Sequence, residues 1–227
     1  MSIITVKNIH REYHQGEHVV RALQGVDLEI GKGEFTVLMG ASGSGKTTLL
    51  NIIGGLDTPT QGEVVVDGKK LSSLSAGEIS DLRLNKLGFV FQAYNLIPVL
   101  SAYENTEFVP LMQGVPPAER KERCMKMLEA VGLKGMENRL PSELSGGQQQ
   151  RVAVARSMAG NPVLVLADEP TANLDSKTGH ALIDMMRSLN EEQGVTFVFA
   201  THDPKVMAAA KRVISLEDGL IISDEVK

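Results

Sequence analysis

The chain has 227 residues, of which 42% are apolar and 22% charged, a balance typical of a folded α/β domain and not of a disordered segment. Its 23 basic and 28 acidic side chains give a net charge of −5, which argues against nucleic acid as a partner. The single cysteine, Cys124, excludes an internal disulfide. No apolar run approaches the roughly 20 residues of a membrane span, so we expect a cytoplasmic chain that serves a membrane only through a partner.

The N-terminal part has the pattern of strands with one helix among them. Apolar residues alternate with polar ones around Ile4–Ile9 and at Val26–Ile30. Phe35–Met39 is a short apolar run that ends at glycine, which is typical of a buried strand. The pattern then predicts a helix over Thr47–Ile53, stopped by two glycines, and a strand at Glu63–Val66.

Helical spacing dominates the middle of the chain, from about residue 93 to residue 158. Cys124, Met127, Leu128 and Val131 share one helical face, and Gly132 follows as a cap. We therefore expect Cys124 to be a small core residue, not a reactive thiol.

The strand pattern returns in the last third of the chain, at Val163–Ala167, Thr196–Ala200 and Arg212–Leu216. Strands that alternate with helices predict an α/β fold with a mostly parallel sheet covered on both faces. We expect one domain over residues 1–227. In it, residues 1–92 and 159–227 form an N-terminal antiparallel β subdomain and a nucleotide-binding core, and residues 93–158 form an inserted α-helical subdomain.

A phosphate-binding loop of the form G-x-x-x-x-G-K-[ST] lies between the predicted buried strand and the helix. Its glycines let consecutive N–H groups point at an anion, and the helix N-terminus adds its dipole. Lys46 would reach the β- and γ-phosphates, and the Thr47 hydroxyl would ligate Mg²⁺. The motif predicts a nucleoside triphosphate, without separating a kinase, a GTPase, a motor and a transporter subunit. The residues expected to hold the phosphates are Gly40, Ala41, Ser42, Gly43, Ser44, Gly45, Lys46, Thr47 and Thr48.

Two acids, Asp168 and Glu169, end the predicted buried strand Val163–Ala167. Successive side chains on a strand point in opposite directions, so we expect separate roles for them. Asp168 would hold Mg²⁺, and Glu169 would act as general base on the attacking water. The alternative is an acidic strand end that meets solvent.

A second glycine turn, Leu144–Gln148, precedes a helical stretch in which Val152, Ala155 and Ala159 share a face. Serine, two glycines and a helix N-terminus form a further anion site, although an ordinary capped helix is the alternative. A second phosphate-type site would close over the first only if the chain folded back or a second copy supplied it.

The ordered set of motifs resembles that of the ATP-binding-cassette (ABC) ATPases over nearly the whole chain. The set is the phosphate loop, Gln92 after the strand Gly88–Phe91, the signature Leu144–Gln148, the acid pair, Asn173–Asp175 and His202. The resemblance implies a P-loop NTPase (RecA-like) core, ATP and Mg²⁺ as cofactors, and pairing of two copies head to tail. The signature of one copy would then cover the γ-phosphate held by the other.

The same resemblance implies individual roles. Tyr13 would stack on adenine, Gln92 would contact Mg²⁺ and the lytic water, and His202 would reach the γ-phosphate. Asp175 would lie in the loop that runs between the two sites. The implied catalytic residues are Glu169, His202, Gln92 and Lys46; the implied metal ligands are Thr47, Gln92 and Asp168; the nucleotide-binding residues outside the loop are Tyr13, Ser145, Gly146, Gly147, Gln148 and Asp175.

Within this family the chain resembles the MacB-, LolD- and FtsE-like cassettes of macrolide-export and lipoprotein-release systems. The stretches that carry this likeness are residues 54–64, 87–100 and 167–175, with Ala172 where many members have glycine. The likeness implies export, lipoprotein release or force transmission, and a four-span permease with a large extracytoplasmic domain. The cassette would then lie on the inner face of the cell membrane.

An apolar stretch directly after Gln92 is a candidate contact for such a permease, with packing inside the helical subdomain as its alternative. We expect part of it to stay exposed; its residues are Tyr94, Leu96, Ile97, Pro98, Val99 and Leu100.

Two further functions compete with a transporter subunit. Soluble cassettes of the translation class carry two cassettes on one chain, and those of the DNA-repair class carry a long coiled coil between the equivalents of Gln92 and Leu144. Neither feature is found in this sequence. A P-loop kinase leaves the signature turn and His202 unexplained.

Overall fold

The computed structural model describes residues 1–16 and 18–227, and these residues form both strands and helices. The strands are β1 (Ser2–Gln15), β2 (His18–Gly31), β3 (Phe35–Met39), β4 (Gln61–Val66), β5 (Lys69–Lys70), β6 (Leu87–Phe91), β7 (Leu164–Asp168), β8 (Thr196–Thr201), β9 (Arg212–Glu217) and β10 (Leu220–Val226). The helices are α1 (Lys46–Ile53), α2 (Ala76–Lys86), α3 (Ala102–Met112), α4 (Pro117–Ala130), α5 (Gly146–Ala159), α6 (Ser176–Gln193) and α7 (Pro204–Ala209).

The strands form two sheets. A four-stranded sheet has the order β2-β1-β4-β5 and is antiparallel throughout. A six-stranded sheet has the order β10-β9-β3-β8-β7-β6, and all its pairs are parallel except that of β9 with β10. The predicted fold class, an antiparallel subdomain beside a mostly parallel core, is therefore confirmed. The division at residues 92/93 and 158/159 stays a proposal.

The register of the parallel strands brings four carboxyl ends to one edge of the sheet. Asp168 pairs with Phe91 on one side and with Ala200 on the other, and Met39 pairs with Thr201. Crevices at such strand ends are where open α/β sheets bind ligands.

The core covers both faces of the parallel sheet. The rings of Phe35, Phe197 and Phe199 are almost completely buried and pack with centroids 4.6–5.9 Å apart. Cys124 on α4 is completely buried, and burial raises the pKa of its thiol to about 11. The prediction that Cys124 is a core residue is confirmed.

Several elements were absent from the sequence prediction, among them one helix and one strand of some length. Helix α2 has a mostly polar surface and buries only Leu82, so its periodicity is weak; its signal is the capping box of Ser75 and Glu78. Strand β10 is an exposed edge strand that pairs only with β9. Within the described ranges, none of the helices combines the length and apolar character needed to cross a membrane.

Candidate active site

The phosphate loop connects the buried strand β3 to helix α1. Gly45, the residue before α1, has φ 103°, and a Cβ there would lie 2.6 Å from the Ala22 carbonyl oxygen, so the position requires glycine. Lys46 is buried, and its Nζ donates hydrogen bonds of 2.7 and 2.8 Å to the carbonyls of Gly40 and Ala41. The loop thus curls tightly around one ammonium group at a helix N-terminus.

A cavity of about 520 Å³ lies beside this loop. It brings together most of the residues that the sequence singled out, namely Tyr13, Ser42, Gly43, Gly45, Lys46, Thr47, Thr48, Gln92, Asp168, Glu169 and His202. Val20, Arg21, Ala22 and Ala172 also line it and were not predicted. Gly40, Ala41 and Ser44 face a neighbouring cavity on the other side of the loop instead.

Thr47 and Asp168 form the candidate metal position. The Thr47 hydroxyl donates a 3.0 Å hydrogen bond to Asp168 Oδ1. Burial raises the pKa of Asp168 above its ordinary value, although the hydrogen bond from Thr47 opposes that shift. A hydroxyl, a carboxylate and the nearby Gln92 amide are oxygen donors of the kind Mg²⁺ takes when phosphates and waters complete its shell. The described residues contain no group of three or more His, Cys, Asp or Glu that could hold a metal ion.

Glu169 lies just beyond the end of strand β7, in a left-handed conformation with φ 45°. Such a conformation costs a non-glycine residue about 1–3 kcal/mol and is found most often at functional sites. The two acids do have separate partners, but the expected reason was wrong: this turn, and not the alternation of a strand, separates them.

The Glu169 carboxylate is held at both oxygens. Oε2 accepts a 2.8 Å hydrogen bond from the Thr201 hydroxyl, and Oε1 lies 2.7 Å from His202 Nδ1. Thr201 Oγ1 itself accepts from the Asp203 amide, so its own proton is directed to Glu169. Sequence reasoning missed Thr201; the signal was a hydroxyl residue at a strand end directly before His202.

Gln92 and Asn173 connect the loops on either side of the acid pair. Gln92 is exposed at the cavity, and its carbonyl accepts a 2.9 Å hydrogen bond from Asn173 Nδ2. Asp175 has a different position, as the N-cap of helix α6, where it accepts from the amides of Lys177 and Thr178. Hydrogen bonds from the Thr178 side chain and amide hold the pKa of Asp175 below its ordinary value.

The signature turn forms the N-terminus of helix α5. Ser145 caps the helix, and Gln148 completes a capping box. A Cβ on Gly147 would lie 2.4 Å from the Thr178 methyl, so close packing of α5 against α6 requires glycine.

The signature turn has a cavity of its own, of about 250 Å³, which Ser145, Gly147 and Gln148 line with Arg151 and Thr178. Among the described residues that line the 520 Å³ cavity, none belongs to the signature, and Asp175 is also missing from them. One chain thus presents two separate groups of predicted nucleotide-binding residues.

Comparison with known protein families resolves the choice among P-loop proteins. The sequence model of the protein family described as "ABC transporter" matches residues 23–172, about two thirds of the chain. This chain belongs to the ABC transporter family. As an ATP-binding cassette of that family it binds and hydrolyses ATP, and it is a nucleotide-binding subunit of a transporter.

Individual relatives agree with this assignment. The ABC transporter ATP-binding protein MJ0796 of Methanocaldococcus jannaschii is 47% identical, and the alignment covers 98% of this chain and 97% of the relative. The macrolide export ATP-binding/permease protein MacB of Mannheimia succiniciproducens is 44% identical over the whole chain, which spans only 35% of MacB.

Solved structures show the same fold. A dimeric structure of MJ0796 has a TM-score of 0.91 at 46% identity, covering 98% of both chains. A dimeric post-hydrolysis state of MJ0796, bound to ADP and Pi, has the same TM-score. The predicted family and its MacB-like subgroup are confirmed, and a transporter cassette is favoured over the translation-type, repair-type and kinase alternatives.

Proposed function

We propose that this chain hydrolyses ATP at an interface between two head-to-tail copies, and that closure of the interface drives conformational work in a membrane permease. The observation that carries the proposal is the separation of the phosphate loop and the signature turn into two cavities of one chain. A second copy, rotated about a twofold axis, can bring each signature turn to the other copy's phosphate loop. The dimeric structures of MJ0796 support this arrangement.

In the proposed complex the loop amides and Lys46 hold the β- and γ-phosphates, exchanging the carbonyl partners of the ammonium group for phosphate oxygens. Thr47, Asp168 and Gln92 would hold Mg²⁺. When bound, that ion would neutralise charge on the phosphate oxygens.

Glu169 is the proposed general base. A water oxygen attacks the γ-phosphorus, the bond to the β–γ bridging oxygen breaks, and the water proton passes to Glu169. Thr201 holds one carboxylate oxygen in place. This contact keeps the Glu169 side chain in one rotamer, in which its other oxygen can accept the water proton. His202, whose side chain is 71% exposed, can turn from Glu169 toward the γ-phosphate. Ser145 and the helix N-terminus of the second copy add donors where charge develops.

Glu169→Gln tests this proposal, because it keeps the shape of the side chain and removes its basicity. We expect ATP turnover to fall roughly 100-fold or more, with ATP binding retained and a stable dimer in gel filtration with ATP. Glu191→Gln, at an exposed position of α6, is the control and should behave as wild type. Wild-type turnover in Glu169→Gln would remove Glu169 from the chemistry.

The permease would dock in an apolar groove of about 510 Å³ between β6, α2 and α3. Leu56, Phe89 and Phe108 are among its walls, and Leu56 and Phe108 are exposed. The expected patch after Gln92 contributes Ile97, while Val99 is 78% exposed, which confirms that part of the patch reaches solvent.

Charge in the groove indicates the chemistry of the docking segment. Arg83 and Arg156 line the groove and bond to backbone carbonyls, and within the described chain neither has a carboxylate partner. A short amphipathic helix with an acidic residue fits this surface. By similarity to MacB, we propose a four-span permease with a large external domain, export or extraction as its work, and a cassette held at the inner membrane face.

Phe108→Glu tests the groove. In co-expression with a four-span permease of the proposed MacB-like type, we expect the variant to lose co-purification while the isolated cassette keeps its ATPase activity. Val226→Glu, which charges an exposed apolar position on β10, outside the groove, should retain the complex. Unchanged capture of the permease by Phe108→Glu would exclude the groove.

A further inference from the structure

Tyr13 is held by two residues that phosphate binding and hydrolysis do not use. Its hydroxyl donates a 2.7 Å hydrogen bond to Asp57 Oδ2. The Arg11 guanidinium grips the same carboxylate with two bonds, from Nε to Oδ2 at 3.0 Å and from Nη2 to Oδ1 at 2.7 Å. The guanidinium carbon also lies 4.4 Å from the centroid of the Tyr13 ring.

The local structure explains why these three side chains meet. Arg11 and Tyr13 are two residues apart on β1, and because both side chains bind the carboxylate of Asp57 they lie on the same side of the strand. Asp57 follows α1, and its amide donates to the carbonyl of Asn51 in that helix. The contact therefore connects the Tyr13 ring to the far end of the helix that begins in the phosphate loop.

The contact leaves one face of the ring available. Tyr13 lines the 520 Å³ cavity, whereas Arg11 and Asp57 are not among the described residues that line it. Arg11 therefore covers the ring from outside the cavity. The Tyr13 hydroxyl donates its proton to Asp57, so it has none to donate to a ligand, and the ring is the part that would stack on one.

We propose that Arg11 and Asp57 are positioning residues that order the Tyr13 ring before a nucleobase stacks on it. The inference rests on the proposed role of Tyr13 at the base and extends it to two residues without a role so far. A bidentate guanidinium–carboxylate pair is a rigid support, and ordering a side chain before binding removes an entropy cost from binding.

The charge of the support is maintained at neutral pH. Burial alone would raise the pKa of Asp57, but hydrogen bonds from Tyr13 and the Thr58 amide, together with the Arg11 charge, hold it below its ordinary value. The Arg11 and Asp57 side chains are 24% and 21% exposed, so water competes only in part for the pair.

The test compares two probes, a non-hydrolysable ATP analogue and inorganic tripolyphosphate, each titrated with Mg²⁺ by calorimetry. Tyr13→Phe removes only the hydroxyl, and Asp57→Ala removes the whole support. We expect each to weaken the ATP analogue by about three- to tenfold, the cost of ordering one side chain, and to leave tripolyphosphate affinity unchanged. The double variant should be no weaker than Asp57→Ala, because both changes remove one interaction.

Tyr13→Ala separates this inference from the role of Tyr13 itself. If Tyr13→Ala leaves the affinity of the ATP analogue unchanged, Tyr13 does not bind the base and both ideas fail. If Tyr13→Ala weakens it while Tyr13→Phe and Asp57→Ala do not, the positioning role alone is overturned. Equal weakening of both probes by Asp57→Ala would mean a general structural role and would also overturn it; Tyr13→Phe carries the test if Asp57→Ala does not fold.

Discussion

Two helix N-termini in this chain carry motifs for anions, and they differ in what surrounds them. Helix α1 begins at Lys46, whose ammonium group is buried. Beside it lie the candidate Mg²⁺ ligands, the candidate base Glu169 and the ring of Tyr13. Helix α5 is capped by Ser145 and begins with two glycines. Arg151 is among the residues that line its cavity. We therefore expect the first assembly to hold a nucleotide by itself, and the second to add donors to a phosphate that is held elsewhere.

The largest expected effect is on the first assembly. Lys46→Ala removes a buried cation from the phosphates, so we expect ATP affinity to fall by roughly 30-fold or more and hydrolysis to be lost. Binding is measured by calorimetry on the purified chain. Lys70→Ala, at an exposed lysine, is the control. Retained affinity in Lys46→Ala would show that the loop does not carry nucleotide binding.

Ser145→Arg changes the second assembly and should separate two properties that Lys46→Ala loses together, because ATP binding is kept and hydrolysis is lost. The bulky charge blocks approach of another copy, so we expect hydrolysis to fall roughly 100-fold, while ATP binding by the single chain stays at the wild-type level. ATP-dependent dimers, followed by gel filtration of a Glu169→Gln background, should disappear. Ser188→Arg, on the exposed side of α6, should keep them. A loss of ATP affinity in Ser145→Arg would contradict the separation of the two assemblies.

Thr201→Val tests whether Thr201 orients the candidate base of the first assembly, Glu169. It removes the hydroxyl that donates to Glu169 and keeps the branched shape in a completely buried position. We expect kcat to fall about tenfold with an unchanged KM, because the hydroxyl orients the base, and neither Thr201 nor Asp203, whose amide also loses its acceptor, is among the described residues that line the nucleotide cavity. Thr201→Ser should restore most of the rate. A shift in KM instead of kcat would place Thr201 in substrate binding.

Gly147→Ala should have the smallest effect, because it disturbs packing and leaves the phosphate loop untouched. The added methyl meets the Thr178 methyl, so we expect unfolding free energy to fall by about 1–3 kcal/mol in denaturant titrations. Thr178→Ser in the same chain should recover that stability. ATP hydrolysis is measured in both variants. If a loss of hydrolysis in Gly147→Ala is also reversed by Thr178→Ser, Gly147 serves packing; if hydrolysis stays low, Gly147 is needed at the interface itself.

The contiguous motifs could be predicted from sequence, because their function depends on local backbone geometry. The phosphate loop and the acid pair each lie within one strand–turn–helix unit, the signature turn lies at the start of a helix, and the structure has those units. The apolar stripe of α4 predicted its buried face for the same reason.

The features that were missed depend on tertiary contacts. Thr201 reaches Glu169 only because β7 and β8 are neighbours in register. Asp57 meets Tyr13 from 44 residues away, and neither residue has a local pattern that indicates the other. The left-handed backbone conformation of Glu169 is uncommon for a non-glycine residue. The spacing of apolar residues therefore could not predict it.

Complementation between two inactive variants tests the shared site most directly. In a mixed head-to-tail dimer of Lys46→Ala and Ser145→Ala, which removes the signature hydroxyl without the bulk that blocks pairing, one site has both defects and the other has an intact loop and an intact signature. The account predicts that an equal mixture hydrolyses ATP, at about a quarter of the wild-type rate per chain, since random pairing makes half the dimers mixed with one complete site each. A mixture no more active than its two components would contradict it.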